Sequence, residues 1–204
     1  MVRVKICGIT NLEDAQAAIK VGADALGFVF YKKSPRYINP QEARRILKHL
    51  PKKILKVGVF VNAKKKVIND IARLCRLDLL QFHGSESMAF CKNFRNYKVI
   101  KAFRIKDKGS LKKLKRYSTW AFLFDAYRKG LFGGTGRKFD WRIIRDLKLN
   151  KRHIFLSGGL KAGNVKEAVK LIRPDWVDTS SSLEIRPGKK DHGKIKEFIK
   201  AAKQ

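Results

Sequence analysis

Short apolar runs and longer amphipathic stretches take turns along the whole of this chain. The apolar runs fall at residues 2–6, 25–31, 55–61, 79–83, 98–103, 121–125, 153–157 and 176–179. Strands that read as near-continuous apolar runs are covered on both faces, as in a parallel sheet flanked by helices. Regular strand–helix alternation calls for an α/β architecture with right-handed crossovers. Eight such units close naturally into a barrel, and 204 residues is near the lower end of the usual size for one, about 200 residues. An open doubly wound sheet is the competing arrangement, but no GxGxxG follows the first run. The expected fold is therefore a (βα)8 TIM barrel, a closed eight-stranded parallel sheet with outer helices. No linker or low-complexity stretch interrupts the series, so residues 1–204 are expected to form a single domain.

The helix starts carry their own signals. Thr10-Asn11-Leu12-Glu13 has the form of a capping box, with Thr10 as the cap and Glu13 reaching back. Asn39-Pro40-Gln41-Glu42 reads as a cap followed by proline at the first helical position. Asn164 and Asp191 are expected to cap the last two helices.

A hydrophobic fraction of 44% argues against a disordered chain. No apolar run approaches the roughly 20 residues that a membrane-spanning helix needs, and the N-terminus lacks a signal-peptide core. A soluble, cytoplasmic protein with no membrane partner is expected. Three cysteines, Cys7, Cys75 and Cys91, with no CxxC or CxxH spacing, suggest neither a disulfide framework nor a zinc site. Lys and Arg total 48 against 17 Asp and Glu, a formal net charge of +31. Such a surplus attracts polyanions. The basic clusters, Lys52-Lys53, Lys64-Lys65-Lys66, Lys112-Lys113, Lys115-Arg116 and Lys189-Lys190, are scattered over helices and loops. No basic arm or aromatic-interleaved RNA motif accompanies them, so specific nucleic-acid binding is not expected.

In a barrel of this kind, chemistry gathers at the C-terminal ends of the strands. That rim collects Cys7-Gly8, Ser34-Pro35-Arg36, Asn62, His83-Gly84, Arg104, Asp125, Ser157-Gly158-Gly159 and Ser180-Ser181-Ser182. Gly158, Gly159 and the three serines sit after the seventh and eighth strands, the recurrent phosphate position, where glycines let backbone N–H groups approach an anion. Alternatively, Gly158-Gly159 only make a tight turn. Cys7 and Asp125 end the first and sixth strands and face each other across the rim. A thiolate can take a proton from carbon, and a carboxylic acid can give one to a leaving oxygen. Against that stand a Cys7 that is merely a small buried hydrophobe and an Asp125 that is merely a cap. Arg36 has a fork suited to a substrate carboxylate, or is a solvated loop residue. His83 is either a proton carrier or a hydrogen-bonding wall residue. Cys75 and Cys91 lie on helices and are expected to be filler.

At these residues the chain resembles the phosphoribosylanthranilate isomerase family of tryptophan biosynthesis. The matching segments are Val4-Lys5-Ile6-Cys7-Gly8-Ile9-Thr10, Ser34-Pro35-Arg36, Gln81-Phe82-His83-Gly84, Gly133-Gly134-Thr135-Gly136 with Phe139-Asp140-Trp141, Leu156-Ser157-Gly158-Gly159-Leu160, and Pro187-Gly188-Lys189-Lys190-Asp191. The resemblance implies an Amadori rearrangement of N-(5′-phosphoribosyl)anthranilate to 1-(2-carboxyphenylamino)-1-deoxyribulose 5-phosphate, without cofactor. It implies Cys7 as general base, Asp125 as general acid, Arg36 on the anthranilate carboxylate, His83 in the substrate site, and Gly158, Gly159, Ser180, Ser181 and Ser182 around the phosphate. The assembly is expected to be a monomer or homodimer. One departure bears on the phosphate seat. Ser182 stands where the family usually has glycine, and would be strained if that position requires a positive φ. The alternatives are another sugar-phosphate aldose–ketose isomerase and a basic nucleic-acid-binding protein. The related isomerase of histidine biosynthesis uses two aspartates, and Cys7 argues against it.

Overall fold

A computed structural model of the chain describes residues 1–127, 138–147 and 152–204. The Gly-rich segment 128–136, with its Gly133-Gly134-Thr135-Gly136 motif, lies outside the described residues. Eight parallel strands close into a barrel in sequence order. They are β1 (Arg3–Cys7), β2 (Ala25–Val29), β3 (Leu55–Phe60), β4 (Leu79–Phe82), β5 (Lys98–Ile105), β6 (Ala121–Ala126), β7 (His153–Leu156) and β8 (Trp176–Thr179). The ring closes where β1 pairs with β8, Lys5 standing opposite Asp178. Around it lie α1 (Leu12–Lys20), α2 (Pro40–Leu47), α3 (Lys65–Cys75), α4 (Met88–Cys91), α5 (Arg142–Arg145), α6 (Ala162–Ile172) and α7 (His192–Lys203). After β5 the crossover is a 3-10 helix, Lys108–Arg116, rather than the expected α-helix.

Two apolar layers follow from the two-residue period of each strand. Outward residues such as Val4, Ile6, Phe28, Phe60, Phe82, Phe122 and Phe124 pack beneath the helices. Inward residues including Ala25, Val57, Leu79, Ile100, Leu123, Phe155 and Trp176 fill the barrel. Phe155 and Trp176 stack at 4.9 Å across the β7–β8 pair.

The face opposite the rim is stitched by a repeated device. Asp24, Asp78 and Asp175 each stand just before a strand, and each accepts the backbone N–H of the strand before it. The donors are Val4, Lys56 and Ile154, at 2.8 Å in every case. The carboxylates satisfy donors at strand starts that would otherwise be left unpaired.

The helix caps differ in detail from the sequence expectation. Asn11, not Thr10, caps α1, accepting from Asp14 N at 2.8 Å. The Thr10 hydroxyl instead donates to the Gly188 carbonyl, so it ties the first rim loop to the last. Asn39 caps α2 as expected, with Pro40 behind it. Asn164 is not the cap of α6, which begins earlier at Ala162. It stands in the first turn and reaches back, its Oδ1 accepting from Lys161 N at 2.8 Å. Asp191 caps α7, accepting from Lys194 N.

Candidate active site

The groups that matter stand at or just after the ends of six strands, β1, β2, β4, β6, β7 and β8, and backbone conformation sets where several of them stand. At the end of β1, Gly8 and Ile9 both donate to the Gly27 carbonyl of β2, at 2.9 and 3.0 Å. Cys7 therefore sits over Gly27. A Cβ added at Gly27 would lie 2.7 Å from Cys7 Sγ and 3.1 Å from Lys5 Nζ. The missing side chain makes room for the thiol and for an ammonium directly below it. Cys7 packs with Val29, Val59 and Tyr31. Its thiol is pushed above the ordinary value because burial outweighs the nearby Lys5 and Lys190 cations, with Asp178 adding to the rise.

Asp125, 3% exposed, faces the interior from β6. Its Oδ1 accepts from the backbone N–H of Ala126 at 2.8 Å, and its Oδ2 lies 3.2 Å from His83 Nε2. Gln81 Nε2 is 3.0 Å from His83 Nδ1. With the amide donating to Nδ1, the imidazole presents its Nε2–H to the carboxylate. The hydrogen-bonding reading of His83 thus holds, and its partner is the carboxyl group of Asp125. The amide oxygen of Gln81 is buried with no partner among the described residues.

Gly158 and Gly159 adopt φ of +84° and +66°. Successive left-handed residues turn the chain sharply after β7, a path that L side chains resist by about 1–2 kcal/mol each. A Cβ at Gly158 would come within 2.6 Å of Ala126 N and 3.0 Å of Asp125 Oδ1. The glycine turn therefore rests directly against the Asp125 carboxyl group. Thr179 and Ser182 both give their hydroxyls to the Leu160 carbonyl, which locks the β7 and β8 loops together. Ser182 lies in a short 3-10 helix, Ser181–Leu183, and is not among the residues with positive φ. The strain anticipated there is absent, because its turn needs no left-handed residue. The Ser182 hydroxyl is committed to the loop junction, which leaves its backbone, not its side chain, for any anion. Ser180 is held by Lys190, whose Nζ lies 3.2 Å from its carbonyl oxygen and 3.3 Å from its hydroxyl.

Arg36 is not a solvated loop residue. Its Nε and Nη2 donate to both oxygens of Glu184, at 2.8 and 2.7 Å. Burial pushes Glu184 up, but Arg36 and Lys190 outweigh it and hold the carboxyl below its ordinary value. Of the five guanidinium donors, the pair takes two and leaves the Nη1/Nη2 edge for a second carboxylate. The stem of Arg36 lies against Gly8, where a Cβ would fall 2.7 Å from its Cδ and 2.8 Å from Ser180 Oγ. The carboxylate fork, the thiol strand and the loop after β8 thus converge on one side of the rim.

Asn62 and Arg104, also read at the rim, go elsewhere. Asn62 has φ of +51°, and its side chain accepts from Ser85 N at 2.7 Å, a loop-shaping task. Arg104 lies within β5 over the Tyr127 ring.

Residues 4–201 match the family model described as N-(5′-phosphoribosyl)anthranilate (PRA) isomerase. The chain belongs to the PRA isomerase family. It is 47% identical over 204 residues to the N-(5′-phosphoribosyl)anthranilate isomerase of Trichlorobacter lovleyi, covering 100% of this chain and 99% of the relative. The crystal structure of the Thermotoga maritima phosphoribosyl anthranilate isomerase superposes with a TM-score of 0.94 at 45% identity, covering 100% of this chain and 99% of that one. A PRA isomerase structure in complex with reduced 1-(o-carboxyphenylamino)-1-deoxyribulose 5-phosphate superposes with a TM-score of 0.91 at 45% identity, with the same coverage. The expected barrel and the expected isomerase activity in tryptophan biosynthesis both stand.

Sequence reasoning assigned no role to Lys5, Gln81, Glu184, Lys190 or Asp178. The signal for Lys5 lay in the first strand. Arg3, Lys5 and Cys7 alternate with Val4 and Ile6, so the inner face of that strand is polar where most barrel strands are apolar. Glu184 and Lys190 belong to a hairpin, β9 (Glu184–Arg186) and β10 (Lys189–Lys190). It is too short to stand out in a periodicity reading.

Proposed function

We propose that this isomerase performs its rearrangement with Asp125 as general acid and Cys7 as general base. The substrate is N-(5′-phosphoribosyl)anthranilate. Asp125 gives a proton to the furanose ring oxygen as the C1–O bond breaks, leaving a Schiff base between C1 and the anthranilate nitrogen. The Cys7 sulfur then removes the proton from C2. The resulting enolamine loses its hydroxyl proton and gains one at C1, which gives the ketone. One proton is returned for each proton taken, so the reaction is a net isomerisation and consumes no co-reactant.

The observation that carries this reading is the shared rim. Acid and base end strands separated by β7 and β8 in the closed ring, and the Gly158 turn between them touches the acid. His83, set by Gln81, keeps the Asp125 carboxyl aimed and serves as a positioning residue. Arg36 uses its free edge to hold the anthranilate carboxylate. The backbone of Gly158, Gly159, Ser181 and Ser182 seats the phosphate, with Ser180 fixed beside it by Lys190.

Cys7→Ser and Asp125→Asn test the assignment. General acid–base catalysis contributes typically about 10²–10⁴-fold, so each variant is expected to lose at least that in kcat with an unchanged circular dichroism spectrum. Wild-type turnover by either variant would overturn its role.

A further inference from the structure

A buried ion pair bridges β1 and β8 on the inside of the barrel, two residues before Cys7 on its strand. Lys5 Nζ lies 2.7 Å from Asp178 Oδ1, with the lysine side chain 0% and the aspartate side chain 5% exposed. The two residues are register partners across the seam that closes the ring. Below them the interior is apolar, lined by Ala25, Val57, Leu79, Leu123, Phe155 and Trp176. Replacing such a pair by well-packed hydrophobic residues is often neutral or stabilising, so packing alone gives no reason for it. Its position does. Lys5 and Cys7 are two residues apart on one strand and so share the inner face. Both Cys7 Sγ and Lys5 Nζ crowd the same point beside Gly27, at 2.7 and 3.1 Å. The ammonium acts on the sulfur by its charge, favouring the ionised form.

We propose that Lys5, fixed by Asp178, is a positioning residue that favours the ionised, proton-accepting form of the Cys7 sulfur against the cost of burial. The inference rests on Cys7 being the base and extends that reading. A thiol in this setting resists ionisation because burial penalises the charged form. A cation nearby offsets part of that penalty, provided the cation is itself kept protonated. Burial alone pulls Lys5 down, but Asp178 and Cys7 outweigh it and hold its proton above the ordinary lysine range. Lys5 retains that proton throughout. When the sulfur takes the C2 proton of the substrate and becomes neutral, Asp178 still balances the ammonium, so no unpaired charge is left inside the barrel. The other charged groups that act on the sulfur are Asp178 and Lys190. Lys190 is bonded at 2.9 Å to Glu184 and also to Ser180, and so is committed to the loop after β8.

The test uses the full chain with Cys75→Ala and Cys91→Ala, leaving Cys7 as its one thiol. The rate of alkylation by iodoacetamide is followed against pH, beside the pH profiles of kcat and KM. In Lys5→Met the alkylation midpoint is expected to rise by one pH unit or more, slowing alkylation at neutral pH about tenfold. The kcat profile should shift the same way while KM stays put, because Lys5 lies below the pocket. In Asp178→Asn the midpoint is expected to fall, since a negative charge near the sulfur has been removed. Lys5→Met/Asp178→Asn, which leaves no unpaired charge, should lie between Lys5→Met and the parent. General loosening of the barrel would move both single variants in the same direction. Shifts of the same sign, or an unmoved midpoint in both Lys5→Met and the double variant, would overturn the proposal. Cys7→Ala separates the two levels. If it abolishes turnover while the Lys5 variants keep the parent profile, only the role of Lys5 fails. If it retains turnover, the base assignment itself has failed.

Discussion

Gly158 and Gly163 are five residues apart, and the same substitution is expected to have opposite effects at the two. At Gly158, alanine must adopt φ of +84°, which costs about 1–2 kcal/mol. Its Cβ would also lie 2.6 Å from Ala126 N and 3.0 Å from Asp125 Oδ1. The first neighbour is backbone within a barrel strand and cannot swing away, so relief requires moving the loop, an overpacking cost of about 1–3 kcal/mol. A total of about 3 kcal/mol lowers the melting temperature by roughly 6–12 °C for a domain of this size. The same shift displaces the acid carboxyl. A misplacement near 1 Å costs about 10²-fold, so kcat/KM is expected to fall by about that factor. At Gly163, inside α6, an added Cβ meets nothing within 4 Å and φ is not positive. Gly163→Ala is therefore expected to stabilise by about 0.5–1 kcal/mol, raising the melting temperature by roughly 1–4 °C, with activity unchanged. Calorimetry and steady-state kinetics on the two variants decide the matter. A Gly158→Ala enzyme with parental stability and activity would refute the claim that this turn rests on the acid.

Arg36→Lys keeps the charge but loses the fork, so KM for the anthranilate substrate is expected to rise about 10–100-fold, matching the roughly 1.5–3 kcal/mol of a charged hydrogen bond; an unchanged KM would count against the carboxylate contact. Glu184→Gln removes the anion that aims the guanidinium and is expected to raise KM in the same direction but by less, with stability monitored by thermal melts. Burial pushes the Cys7 thiol up, so its thiolate fills as pH climbs, and kcat is expected to increase from neutral toward alkaline pH and to lose that rise in Cys7→Ser. Burial pushes Cys75 and Cys91 up to about 11 from 9.0. Folded-state values above the unfolded ones contribute stability that is present below pH 9.0 and lost as pH rises through about 11; melts across that window should show the loss, and Cys75→Ala/Cys91→Ala should blunt it. The +31 charge is expected to draw nucleic acid weakly at low salt, with binding abolished near physiological ionic strength; persistent tight binding in a filter assay would reopen a nucleic-acid role.

The barrel was legible because buried strands and amphipathic helices have different periods, and the chain repeats the contrast eight times. The rim was legible for the same reason: once strand ends are located, Cys7, Asp125 and the Gly158-Gly159 turn follow from position alone. Ion-pair networks were not. Lys5 meets Asp178 and Arg36 meets Glu184 across separations of 173 and 148 residues, and no local pattern encodes such pairs. Thr10 shows the same limit at short range. Its sequence context is that of a helix cap, yet the hydroxyl bonds Gly188 across the barrel seam, and the neighbouring Asn11 takes the cap. Glycine at position 27 reads as a weak strand residue in isolation. Its purpose is visible only when the thiol and the ammonium are seen to occupy the space its side chain would fill.

The most direct measurement is a crystal structure of this protein with reduced 1-(o-carboxyphenylamino)-1-deoxyribulose 5-phosphate. The expected result places the phosphate between the loops that follow β7 and β8 and the carboxylate on the open edge of Arg36. The Cys7 sulfur should then stand about 3–3.5 Å from the sugar C2, the distance of a reactive approach, with the Asp125 carboxyl on the opposite side of the chain. A phosphate seated elsewhere, or a C2 that faces neither Cys7 nor Asp125, would contradict the pairing of acid and base across one rim.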